Sequence, residues 1–203
     1  MRRSTTICLL LLWATLTMAQ DIRFGLTAGF IASKPVDYQE HVGFQIGGKA
    51  EIPLAKNIPN LYLAPSLTLT SKGWKDEVYD EEEDRNTDWT CNAYYLELPI
   101  LVGFNILSRN NYQLVLEFGP YVAYGLFGNS KIKGKGEEFE IDNIFSSVYR
   151  RFDYGFMGQV GVDVKQWQFC IGYSGSLQRP TRGEWAGISP KDVSYFLKAT
   201  YFF

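Results

Sequence analysis

Along most of this chain apolar and polar residues alternate with a period of two, and polar stretches separate the alternating runs. That period predicts β-strands with one apolar and one polar face. In the last run, Val193, Tyr195, Leu197, Ala199, Tyr201 and Phe203 share one parity. Ser194, Lys198 and Thr200 share the other, with Phe196 and Phe202 as apolar exceptions. Seven earlier runs follow the same rule: Ile22 to Ile31, Val42 to Ile52, Leu61 to Thr70, Tyr94 to Ile106, Gln113 to Tyr124, Asp153 to Val164 and Trp167 to Ser174.

Eight runs make an even set, and their connections alternate in length. Long ones follow the first, third, fifth and seventh runs; short ones follow the second, fourth and sixth. Lys75 to Asp88, with the acidic run Asp80 to Asp84, reads as a loop, and Asn129 to Arg151 as a charged stretch that extends its flanking strands as a hairpin. Short turns on one side and long loops on the other are the pattern of an outer-membrane barrel. The expected fold is all-β, an eight-stranded antiparallel up-and-down transmembrane β-barrel, with both termini of the mature chain periplasmic.

Alternation alone does not say which face is wet. A soluble lipocalin-like barrel would carry its apolar face inside. Three features favour the membrane. The polar parity is rich in Gly, Ser and Thr, which suit a crowded lumen. Aromatics on the apolar parity gather at the run ends: Phe24, Phe104, Trp167, Phe169, Tyr201 and Phe203 toward one rim, and Phe30, Phe44, Tyr94, Tyr124, Tyr154 and Tyr195 toward the other, as in interfacial girdles. A run at the very end of the chain can pair with the first and close the ladder, as lipid demands.

The polar parity also carries charge at Arg23, Lys49, Glu51, Glu97, Glu117, Asp163 and Lys198. In a lumen with room only for its own side chains, mixed signs predict internal ion pairs that fix register. A proton or ion relay is the alternative role for the same residues. Unpaired buried charge is costly, which favours the structural role. Pro65, Pro99 and Pro120 fall inside runs, so each predicts a bulge or an interrupted ladder.

Composition fits this picture. The 203 residues, 46% hydrophobic and 16% aromatic with 21% charged, give a slightly negative mean hydropathy, too polar for a helical membrane protein. A net charge of −2 gives no basic field for nucleic acid. Arg2-Arg3, the apolar run Ile7 to Ala14 and the small-residue site ending at Ala19 read as a signal peptide over residues 1–19, leaving a barrel domain over 20–203. No lipobox-like motif precedes Cys8. Cys91 and Cys170 fall on non-neighbouring runs and have no metal-site spacing.

At Tyr95-Leu96-Glu97-Leu98-Pro99 the chain resembles the outer membrane protein β-barrel domain family, the small PorT-like barrels of Gram-negative bacteria. Gly119-Pro120-Tyr121, Asp153-Tyr154-Gly155 and Gly172-Tyr173 resemble the later strands of that family. The resemblance covers about Asp21 to Phe203. It implies residence in the outer membrane, and its terminal aromatics, Tyr201 and Phe203, resemble the signal read by the outer-membrane assembly machinery. It brings no catalytic residues and no cofactor.

Candidate chemistry is sparse. His41, the sole histidine, has Ser33 and Glu40 near it in sequence but no motif that joins them. The acidic run Asp80 to Asp84 lacks the glycine turn of an EF-hand loop, and Gly134-Lys135-Gly136 lacks the spacing of a phosphate loop. Three functions remain: a non-enzymatic barrel acting through its loops in binding or envelope integrity, an accessory subunit of a secretion or assembly machine, and an outer-leaflet lipid enzyme. The expected partners are outer-membrane lipid, the assembly machinery and an unidentified protein or glycan ligand at the loops. If the terminal aromatics are the assembly signal, deleting Phe203 lowers the yield of heat-modifiable folded barrel in outer membranes. Wild-type yield would contradict that role.

Overall fold

The computed structural model describes residues 22–35, 40–54, 60–80, 85–109, 112–134, 137–145, 149–178 and 192–203. The expected leader, the acidic tip at 81–84, the turn at 55–59 and the 179–190 loop lie outside them. Among the described residues nine strands run in order: β1 Arg23–Pro35, β2 His41–Pro53, β3 Leu61–Asp80, β4 Arg85–Arg109, β5 Tyr112–Gly134, β6 Glu137–Asp142, β7 Phe152–Val164, β8 Trp167–Ser176 and β9 Asp192–Phe202. Every pairing is antiparallel. Eight of them close a ring, β1-β2-β3-β4-β5-β7-β8-β9, sealed between Gly25↔Phe202 and Pro35↔Asp192. The expected barrel is therefore present, and β6 is an addition beyond the ring that pairs with β5.

The apolar parity faces outward. Phe24, Leu26 and Phe30 are 57%, 63% and 65% exposed, while Thr27 between them is 2% exposed. The same contrast runs around the ring, which excludes the lipocalin-like arrangement. The outward aromatics meet in two bands. At one end Trp167 lies 5.0 Å from Tyr201, and Tyr201 lies 6.2 Å from Phe203, between ring centroids. At the other, Tyr94 stacks on Phe127 at 4.6 Å and Tyr173 meets Tyr195 at 5.5 Å.

Three strands outrun their sequence pattern. Residues 75–88, expected as a loop, form instead a hairpin of β3 and β4 paired from Lys75↔Thr90 to Asp80↔Arg85. Charged, unalternating residues hide a strand here because no bilayer imposes an apolar face on it. β5 likewise runs on to Gly134 and returns as β6. The prolines behave as expected of interruptions. The β3–β4 pairing lapses between Pro65↔Ile100 and Thr68↔Glu97, and the β4–β5 pairing between Pro99↔Tyr121 and Val102↔Phe118, with register kept across both gaps. The bulges of β4–β5 lie elsewhere, where Leu126 and Ile106 each stand as an extra residue.

Strong coiling brings neighbouring backbones close on the inner face. A Cβ at Gly47 would sit 2.0 Å from the carbonyl oxygen of Leu67, inside any allowed contact. Gly47→Ala is expected to destabilise the barrel by about 1–3 kcal/mol through forced backbone shifts, read as a lower urea midpoint in lipid vesicles. An unchanged midpoint would show that the strands are not packed this tightly.

Candidate functional site

The alternation of β1, β2, β5 and β7 aims Arg23, Lys49, Glu51, Glu117 and Asp163 into the lumen, where they form one cluster. The Lys49 ammonium lies 2.5 Å from Glu117 and 3.1 Å from Glu51, and donates to the Gln168 amide oxygen at 2.5 Å. Glu117 is fully buried and accepts further bonds from the Tyr62 hydroxyl at 2.8 Å and the Gln159 amide at 2.5 Å. Arg23 bridges Glu51 and Asp163, the latter at 2.8 Å, with its guanidinium 4.3 Å from the centroid of the Phe202 ring. Gln168 completes the ring of bonds by donating to Glu51 at 3.0 Å. A buried carboxylate is tolerated only when such partners occupy its lone pairs.

The other two expected members stand apart. Glu97 pairs with Lys72 at 2.7 Å and accepts from Thr70 at 3.3 Å. Lys198 is buried opposite Cys170. Among the described residues it has no carboxylate within ion-pair distance, and its ammonium lies 4.9 Å from the Phe196 ring centroid.

Above Glu97 the filling changes character. The Lys72 ammonium sits 5.1 Å from the Tyr121 ring centroid; Tyr121 donates to Asp153 at 3.0 Å, and Ser176 donates to the same carboxylate. The segment after β6 then folds back into the mouth. It turns at Asn143, whose φ is 64°, and buries Ile144, Phe145 and Tyr149. Phe145 meets Tyr95 edge-on at 5.4 Å, and Trp74 donates to the Tyr149 hydroxyl. Gly125 makes room for the plug, since a Cβ there would lie 2.3 Å from the Phe145 ring. Beneath the plug is a cavity of about 20 Å³ lined by Lys72, Trp74, Tyr95, Tyr149 and Asp192. Asp192 opens β9 and lines the cavity with Lys72.

Sequence reasoning missed Lys72, Asp192 and the plug. Tyr62, Gln159 and Gln168 were available on the polar parity as the uncharged partners of the cluster. Ser33 and His41 do face each other across β1–β2. The Ser33 hydroxyl, however, donates to the Gly73 carbonyl at 2.7 Å and accepts from the Gly73 amide at 3.0 Å, so it is held by backbone. Cys91 and Cys170 are buried free thiols. Among the described residues no three metal-ligating side chains converge.

A family model described as outer membrane protein beta-barrel domain matches residues 18–179. A search of curated proteins found no match. Among solved structures the chain is similar to Ail, the attachment invasion locus protein of Yersinia pestis, at 15% identity over 89% of this chain and 98% of that one, with a TM-score of 0.43. It is similar to OprG of Pseudomonas aeruginosa at 12% identity over 90% and 94%, with a TM-score of 0.45. Neisserial surface protein A is similar at 10% identity over 90% and 97%, with a TM-score of 0.43.

Removing Glu117 would strand Lys49 inside the barrel. Glu117→Ala is expected to lose about 3–5 kcal/mol, measured by urea unfolding in vesicles. Glu117→Gln, which keeps the shape and some hydrogen bonds, is expected to lose less. Equal midpoints for wild type and Glu117→Ala would show that the cluster does not hold the lumen.

Proposed function

Since the chain belongs to the outer membrane protein β-barrel domain family, and so is integral to the outer membrane, we propose that it is a non-enzymatic barrel that acts through its extracellular side in binding or envelope integrity. One observation carries this reading: among the described residues the lumen is filled at both levels, by the Lys49–Glu117 cluster below and by Ile144, Phe145 and Tyr149 above. A lumen without a continuous path leaves the surfaces outside the bilayer as the place where the protein meets other molecules. The long hairpins, 71–94 and 125–142, rise from the rim opposite the tight Lys165-Gln166 turn. On this reading the hairpins are extracellular, and the turn and both ends of the mature chain are periplasmic. No catalytic pair or cofactor enters the proposal. The lipid-enzyme alternative loses its best candidate pair, because Ser33 spends its hydroxyl on the Gly73 backbone.

The test shortens both hairpins to tight turns in the chromosomal copy. The shortened barrel is expected to reach the outer membrane in heat-modifiable form, while binding of surface ligands or detergent resistance of the envelope falls to the level of a deletion strain. Full retention of both properties by the shortened barrel would overturn the proposal.

A further inference from the structure

Beyond the ring, β3, β4, β5 and β6 form an antiparallel sheet that ends on β6. Among the described residues β6 pairs with β5 alone, so its far edge presents backbone groups without strand partners. Such an edge is a template for another strand. Its register defines what would fit. On one face lie the cross-strand rows Thr90–Lys131–Glu140 and Asn92–Asn129–Asp142. Lys131 lies 3.4 Å from Glu140, and Asn129 donates to the same carboxylate at 2.9 Å. Each of these rows ends on an acid at the open edge. On the other face Phe139 and the row Cys91–Ser130–Ile141 present apolar residues at the edge. Phe139 is 63% exposed, although it stands outside the bilayer band.

We propose that the β6 edge binds an extended segment of a partner protein in which basic residues alternate with apolar ones, added as the next strand of this sheet. Opposite charges directly across a strand pair stabilise it and like charges destabilise it. Lys or Arg in the added strand would stand against Glu140 and Asp142. Apolar side chains between them would stand against Phe139 and Ile141 and cover the exposed ring. The same rule disfavours a second copy of this chain: β6 against β6 would set acid on acid along the whole row. The inference rests on the reading that the hairpins are the working surface, and adds the chemistry of what they bind.

The experiment uses the full chain folded into phosphatidylcholine vesicles and a short fluorescent peptide of alternating Lys and Val, followed by anisotropy. The controls are a scrambled peptide of the same composition, the alternating peptide with alternate amides N-methylated, and an alternating Glu-Val peptide. The expected result is that the Lys-Val peptide binds about tenfold or more tightly than every control, the equivalent of about 1.4 kcal/mol. A second protein, Lys131→Glu/Glu140→Lys/Asp142→Lys, keeps an opposite-charge pair at positions 131 and 140 and is expected to prefer the Glu-Val peptide. Equal binding of the scrambled peptide, or a preference that the charge exchange does not reverse, would overturn strand addition. So would absence of binding by the Lys-Val peptide, or dimers joined through β6. If the peptide fails to bind while shortening the hairpins still abolishes surface function, strand addition alone is wrong; if shortening changes nothing, the wider reading is wrong.

Discussion

A strand that crosses hydrocarbon has no water to satisfy its amides and carbonyls, and each one left unpaired costs several kcal/mol. Everything else in this molecule follows from that constraint. The sheet must close, and β9 closes it against β1 over eleven residue pairs, from Gly25↔Phe202 to Pro35↔Asp192. Closure with eight strands leaves a lumen only just wide enough for side chains to fill. The inward side chains must therefore satisfy one another, and they do so through two different kinds of contact.

In the lower part the currency is charge. Lys49, Glu51, Glu117, Arg23 and Asp163 reach inward from four strands, and Tyr62, Gln159 and Gln168 supply the uncharged bonds that complete their shells. Such a network ties non-adjacent strands together and penalises a slip of register, since a one-residue shift would turn every one of these groups toward lipid. Near the mouth the filling is aromatic. Tyr95, Phe145 and Tyr149 pack edge to face, and the plug is held by backbone bonds such as Ile144 to Gly128 at 3.2 Å. Beyond the mouth the bilayer no longer acts, and the extended strands answer to cross-strand charge instead.

This division explains what was legible in the sequence. Inside the bilayer, parity alone assigned Phe24 to lipid and Lys49 to the lumen, because hydrocarbon penalises every exception. Five of the seven expected luminal charges meet in one cluster for that reason. Glu97 found a different partner because Lys72 lies two residues past the last alternating position, Thr70, where the pattern had stopped. Lys198 shows that parity places a side chain without choosing its partner. Residues 75–88 read as a loop because a strand in water needs no apolar face, and Ile144, Phe145 and Tyr149 carried no periodic signal because a plug follows the shape of a cavity rather than a pleat. The prolines were legible as ladder defects, whereas the bulges at Ile106 and Leu126 had no residue to announce them.

The central claim, a lumen filled at both levels, has a native probe in each half: Cys170 beside the charged cluster and Cys91 beneath the plug, each 1% exposed. The most direct measurement is the rate at which a small membrane-impermeant maleimide modifies these thiols in the folded barrel, supplied from either side of the bilayer. A filled lumen predicts that neither cysteine reacts until urea unfolds the protein, when both react fully. Modification of Cys170 in the folded barrel at the rate of the unfolded chain would mean that the lumen is open.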